Sequence, residues 1–448
     1  MRVREPTSKR GAIQFRTKAD LSVTLRNACA WKCVADSVRK PTPTEAFVHQ
    51  VCRQSFLSLW SYASPEGKTH GREMCDILVV CDPDIIIFSV KEVRPTKHAD
   101  DVVRMTRWVR AAVDESVDQV YGAERFIQSG KHTRVRREDG SDGLPYPSKN
   151  VRRIHRVAVA LGGEEHFPLP FGNFGKGFVH VFDERSFRIL TSELDTITDF
   201  AEYLTTKEEL FSGNTTVMFG HEEDILAVYL HGNRSFPSAD HVLIEDGAWQ
   251  QFIAKPEVQA KKIADQDSYL WDRLIERIGR DVAARNMIYE NTIEEDESVL
   301  RVMTRENRFN RRIVAGQLRS FFEASAANKV RSRMIESLSG VGYVFLAAKR
   351  DEDRKMRSME LGLRCYVARL RMDPCATIIG IGTEQKTGEL GASWDVELLH
   401  TAEIDDAFRA RAEEISKDLD YFQNPVQTHL HEDEYPGICP EDHDTTPR

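Results

Sequence analysis

The sequence predicts an α/β protein followed by a C-terminal α+β unit. Three observations carry that reading. The 448 residues, 41% of them hydrophobic, are enough for two or three domains that each bury a core. Apolar runs of strand length alternate with helix-period segments through the first half of the chain. An acidic break at 290–298 (ENTIEEDES) then precedes a basic helical region and three further strand-like runs.

The elements follow in order. Residues 1–40 read as a basic N-terminal arm; its opening, MRVREPTSKRGAIQFRTKAD, lacks the apolar stretch of a secretory signal. Residues 44–63 place Phe47, Val48, Val51, Cys52, Phe56, Leu59 and Trp60 at helical spacing, with Thr42 or Thr44 as the cap. Residues 75–93, CDILVVCDPDIIIFSVKEV, are two apolar strands around Asp82-Pro83-Asp84, with Pro83 preset for a turn's second position. A long helix is expected over 99–128, with Trp108 on its apolar stripe. Residues 131–153 read as a long basic loop. Strands are expected at 154–161, 176–183, 216–219 and 225–231, with a helix over 193–203. The preceding FGNFGKGF (171–178) lacks the end of a phosphate loop and reads as a turn. A basic helical region spans 299–338, with nine Lys or Arg against two Glu from Arg301 to Arg333. Strands follow at 343–348, 377–383 and 394–400. The domains are therefore expected at 41–240 and 241–423, with 424–448 a disordered tail and no internal repeat.

Bulk properties exclude several classes. A net charge of −9 and a pI near 5.9 argue against a chain that coats nucleic acid over its whole surface, while leaving room for a local basic patch. No run of 18 apolar residues is present, so no membrane span is expected. Eight cysteines in a chain of this length do not make a disulfide scaffold. Cys29 and Cys33 have no second pair nearby, which argues against zinc. The expected compartment is a reducing cytoplasm.

The hairpin carries the candidate chemistry. A two-residue loop at 82–83 sets Asp76 opposite Ser89; a loop at 83–84 sets it opposite Lys91. Either register puts Asp76, Ser89 and Lys91 on one face and Glu73 and Glu92 on the other. Read as architecture alone, Asp76 and Lys91 make an ion pair at a strand end or reach solvent separately.

The order helix, hairpin, helix, strand, with Glu45 on the first helix, Gly71 ahead of Asp76, and the Ser89-Val90-Lys91 triplet, resembles the PD-(D/E)XK nuclease superfamily. The resemblance covers roughly residues 41–185. It implies a restriction-endonuclease-like mixed sheet flanked by helices. It also implies a divalent-metal-dependent endonuclease, a hydrolase using Mg²⁺ or Mn²⁺. Asp76 and Glu45 would hold the metal and Lys91 would act on water and phosphate. Gln119 and Tyr121 on the downstream helix would support the site. Where the family has an acid two residues before the lysine, this chain has Ser89. The Val90 carbonyl, Glu73 or Glu92 would then complete the ligand set. DNA is the implied substrate, and restriction or phage defence the implied role. The alternative is a catalytically inactive relative that binds nucleic acid or a protein partner; a second is an adaptor whose Asp76 and Lys91 only pair.

Weaker signals remain. His49 lies one helical turn from Glu45 and reads as a polar neighbour. The segments 131–153 and 301–333 either track a nucleic-acid backbone or form solvated basic faces. His429 and His431 beside Glu432 are a weak metal signal. The C-terminal domain is expected to bind nucleic acid, to form a homo-oligomer or to sense a trigger.

Overall fold

The computed structural model describes residues 13–16, 42–67, 72–164, 167, 169–285, 291–326, 331–349, 352–384, 393–423 and 430–436. Gly71, Cys29, Cys33 and His429 lie outside the described residues. The fold is mixed α/β and divides into two compact units. One spans 30–260; the other joins an N-terminal strand to 261–437.

That N-terminal strand is β1 (Ile13–Arg16), so the expected arm contributes a strand to the C-terminal unit. The first unit begins with α1 (Pro43–Phe56). Thr42 caps it: its hydroxyl accepts from the Glu45 amide while the Glu45 carboxylate accepts from the Thr42 amide at 2.8 Å. Pro43 sits where its missing N–H costs nothing. The helix stops at Leu57, whose φ of 67° leaves helical space. The expected last turn is instead β2 (Ser61–Ala63), paired antiparallel to β3 (Ile77–Cys81).

β3 pairs antiparallel with β4 (Asp84–Glu92), and Cys81 faces Asp84. The loop is therefore Asp82-Pro83. The peptide between them is cis, and Pro83 takes the third turn position, not the second. A continuous helical segment follows: α2 (Asp101–Val109), a π turn (Arg110–Asp114) and α3 (Glu115–Gln128). Asp100 caps it. The expected loop then contains a small hairpin, β5 (Arg134–Arg136) and β6 (Asp142–Pro145). β7 (Arg153–Leu161) runs parallel to β4, β9 (Phe178–Phe182) parallel to β7, and β8 (Gly172–Asn173) closes the edge. The sheet order is β2-β3-β4-β7-β9-β8.

The expected helix at 193–203 starts later and runs longer, and an unforeseen helix precedes it. α4 (Glu184–Glu193) ends at Leu194, and Thr196 caps α5 (Ile197–Ser212). The expected strand at 225–231 is instead α6 (Glu222–His231). Its neighbours are β10 (Thr216–Met218), β11 (His241–Leu243) and α7 (Ala248–Ile253), with β10 and β11 forming a parallel pair. Helices α1, α4 and α5 cover one face of the large sheet, where Phe56, Phe88, Phe187 and Phe200 pack together; α3 covers the other.

In the C-terminal unit, α8 (Pro256–Ala264) leads through a 3₁₀ turn (Asp265–Ser268) to α9 (Tyr269–Ala283). The expected acidic break is the first turn of α10 (Ile293–Thr304), where Thr292 and Glu295 form a capping box. The basic helix α11 (Arg308–Ala326) stops short of the expected end, and 332–336 are strand β12 (Ser332–Glu336). β13 (Val341–Ala348), α12 (Arg354–Arg371), β14 (Thr377–Glu384), β15 (Trp394–His400) and α13 (Asp406–Asp418) complete a sheet of order β1-β15-β14-β13-β12. Residues 430–436 of the expected disordered tail are placed: Arg312 donates to the carbonyls of Asp433 (2.6 Å) and Glu434 (3.3 Å). Among the described residues no helix is long and apolar enough to cross a membrane.

Candidate active site at the open end of the hairpin

The sheet register decides which side chains meet. The β3–β4 ladder ends at Ile77 opposite Phe88, and one step further sets Asp76 opposite Ser89. Ser89 and Lys91 alternate onto the face that α3 covers, and Glu92 onto the face of α1, where the Thr44 hydroxyl donates to its carboxylate.

Asp76 is 3% exposed. Its Oδ2 accepts from the Val90 amide at 2.7 Å. Its Oδ1 accepts no hydrogen bond among the described residues. Burial pushes the carboxyl up to about 6; the Val90 hydrogen bond opposes this, Glu45 and Glu73 add to it, and Lys91 opposes it more weakly. Three carboxylates and one ammonium thus lie within electrostatic reach of each other. Lys91 is half-buried, and among the described residues it makes neither an ion pair nor a hydrogen bond. The ion-pair reading of Asp76 and Lys91 is therefore not what the geometry holds.

Gln119 comes to the site from α3: its Oε1 accepts from the Ser89 hydroxyl at 2.6 Å. The π turn lies one helical turn upstream of it. Such turns within α-helices are common at functional sites.

Other candidates go elsewhere. The Tyr121 hydroxyl donates to the Gly177 carbonyl at 2.6 Å, with Lys176 and Arg156 over its ring. His49 faces Arg53 and the start of β2; burial, with Arg53, lowers its pKa, and its buried Nε2 makes no hydrogen bond among the described residues. Trp108 is core, and its indole donates to the Val93 carbonyl at 2.7 Å. In 171–178 the Asn173 side chain accepts from the Gly175 and Gly177 amides, which makes the segment a turn.

Three arginines of the basic segment 301–333 are buried ion-pair partners. Arg308 and Arg311 are buried against Asp272 at 2.7 and 2.6 Å, and Arg312 against Asp265 at 3.0 Å. Sequence reasoning could not see these pairs, because the acids lie some 40 residues away in the chain.

The metal expectation meets a mixed donor set. Among the described residues no three His, Cys, Asp or Glu side chains converge as a ready metal cage. Mg²⁺, however, commonly takes one or two protein carboxylates and completes its shell with water and substrate phosphate. Asp76 Oδ1, with Glu45 or Glu73 close enough to repel it, fits that lesser requirement. No known family's sequence profile, no curated protein and no solved structure matches this chain.

Proposed function

We propose that the chain is a divalent-metal-dependent nuclease that hydrolyses phosphodiester bonds, with DNA as its substrate, at the open end of β3 and β4. One observation carries the reading: a buried Asp76, with one carboxylate oxygen that accepts no hydrogen bond, beside a Lys91 whose ammonium makes no ion pair or hydrogen bond among the described residues. A buried carboxylate and a half-buried ammonium that do not pair at one sheet end are costly unless a ligand uses them. The order of helix, antiparallel strands, helix and parallel strand around them gives further support.

Asp76 Oδ1 and a carboxylate from Glu45 or Glu73 would hold Mg²⁺ or Mn²⁺. The metal would polarise the phosphate and lower the pKa of a bound water. Lys91 would neutralise charge that builds on the phosphate oxygens. The Ser89 hydroxyl donates a hydrogen bond to Gln119, which anchors α3 to β4 and leaves the hydroxyl oxygen to act as a neutral ligand. Restriction or phage defence is the role we attach to this activity.

A second reading is favoured by Ser89 itself: a neutral residue at a position where the chemistry gains from an acid makes an inactive nucleic-acid-binding protein. Cleavage of supercoiled plasmid with Mg²⁺ or Mn²⁺ separates the two, with metal titration by calorimetry alongside. Metal-dependent nicking lost in both Lys91→Ala and Asp76→Asn establishes the nuclease. Plasmid binding without metal binding or nicking establishes the second reading.

A further inference from the structure

A cleft of about 420 Å³ opens between the C-terminal end of α3 and the start of β7. Glu124, Gln128, Lys149, Arg152, Ile154 and Arg156 line it. It is separate from the hairpin site. Arg156 is four residues from Ala160, the strand partner of Lys91, roughly 13 Å along the sheet.

The wall carries three cations and one carboxylate, and the carboxylate is already committed. Arg156 grips Glu124 with two nitrogens, at 2.5 and 2.6 Å, and donates its third to the Phe178 carbonyl at 3.1 Å. Arg152 is held as firmly, but only by neutral acceptors: the Pro147 carbonyl at 3.0 and 2.6 Å and the Ile127 carbonyl at 3.2 Å. Ile127 lies in the last turn of α3, where helix carbonyls carry partial negative charge. That compensates part of the Arg152 charge. Lys149 is exposed, and among the described residues it makes no ion pair or hydrogen bond. Its ammonium stands over Gly130, where a Cβ would come within 3.0 Å of it. Pinning of the 147–152 loop accounts for Arg152. It does not account for Lys149 or for an excess of two positive charges around a cleft.

We infer that this cleft binds a phosphate monoester, whose dianion matches that excess. A volume of this size lies within the range of small-ligand sites and leaves room for a nucleoside beside the phosphate, against Ile154. Arg152 is already oriented and loses little side-chain freedom on binding, while Lys149 closes on the anion. The phosphate belongs either to a free mononucleotide or to the end of a nucleic-acid strand. The inference does not depend on the nuclease reading.

The test is calorimetry on the full chain in EDTA, with inorganic phosphate, AMP and adenosine, and then with one short oligonucleotide carrying a 5′-phosphate or a 5′-hydroxyl. AMP is expected to bind at one site and adenosine not to bind. Lys149→Glu should weaken AMP binding about tenfold or more, the scale of one charge-assisted hydrogen bond, while Lys149→Arg retains it. Gln128→Trp, at the exposed end of α3, gives up the 2.8 Å bond to Glu124 but leaves the Arg156–Glu124 pair in place, fills the cleft and should block binding. Lys91→Ala should leave it unchanged, which keeps the result independent of catalysis. A 5′-phosphate preference of tenfold or more assigns the strand end, and AMP binding without that preference assigns the free nucleotide. Failure of AMP and phosphate to bind the wild type, or binding that survives both Lys149→Glu and Gln128→Trp, overturns the inference.

Discussion

Asp76 and Asp272 are both buried aspartates, and they sit in opposite surroundings. Asp272, on α9, lies between Arg308 and Arg311, which bond its two oxygens at 2.7 and 2.6 Å. Burial alone would push its carboxyl up, but the two guanidinium groups more than offset this and hold it below the usual range. Asp76, at the mouth of β3, has one backbone amide, two nearby acids and a lysine that does not reach it; its carboxyl rises to about 6. The difference teaches how to separate structural charge from available charge. Arg357 with Asp395, at 2.5 Å, is satisfied in the same way as Asp272, whereas Asp296 in the same C-terminal unit is buried and raised to about 6 like Asp76. At the hairpin end, Asp76 and Lys91 make no ion pair among the described residues.

The sharpest way to break the comparison is to remove the paired acid. Asp272→Ala strands two buried arginines and should cost about 3–5 kcal/mol in denaturant unfolding. Plasmid cleavage per folded molecule should not change. Equal loss of cleavage would mean that the two regions are not functionally distinct.

Removing the unpaired acid should act in the opposite sense. Asp76→Asn keeps an acceptor for the Val90 amide and relieves a buried charge, so stability should rise at pH 7.5, by at most about 3 kcal/mol for a carboxyl displaced from 3.8 to about 6. Cleavage should fall at least about a hundredfold, as it should in Lys91→Ala. A destabilised, fully active Asp76→Asn would return Asp76 to architecture.

Acidity separates the pair through its sign. Asp76 holds its proton more tightly when folded, so its cost to stability is absent below pH 3.8, grows as the pH rises, and is complete above about 6. The gain from Asp76→Asn should therefore vanish by about pH 4 in thermal melts. Asp272 is depressed when folded, so its contribution is complete above its ordinary value of 3.8 and fades as the pH falls through the lower folded value. The smallest effect concerns Glu45, whose carboxylate both caps α1 and faces Asp76. Thr42→Ala should cost about 1 kcal/mol of stability and loosen Glu45 without abolishing activity, read by melts and plasmid nicking.

How much of this was legible in the sequence depended on whether the signal was local. Strands β3, β4, β7 and β9 of the large sheet announced themselves through apolar runs, whereas β2 read as helix and β8 as turn; of the two hairpin registers, the loop at 82–83 is the one observed. The segment 225–231 misled because ILAVYLH is apolar throughout, and a short helix buried on most sides carries no period to distinguish it from a strand. The three acids at 222–224 were the available start signal. Thr292 and Glu295 likewise spelled a capping box inside what read as a charged break. Within the site, Asp76, Ser89 and Lys91 were visible because strand alternation is short-ranged. The Ser89–Gln119 bond, the raised Asp76 and the unpaired Lys91 depend on residues brought together over tens of positions, and no spacing rule reports them. The arginines at 308, 311 and 312 were visible as charge, but not as charge already neutralised.

The π turn at 110–114 has a consequence for the rest of its helix. An ordinary helix advances about 100° per residue, and one turn of wider winding shifts everything downstream by about that angle. Gln119 meets Ser89, and Glu124 meets Arg156, in this shifted phase. Removing one residue from 110–114 while restoring regular pitch would keep both side chains in place; restoring regular pitch at full length would turn both about a quarter of the way around the rod. The sheet would keep its strands, while the helix would present it with a different row of side chains. One residue of length thus acts as an angular dial for two separate sites.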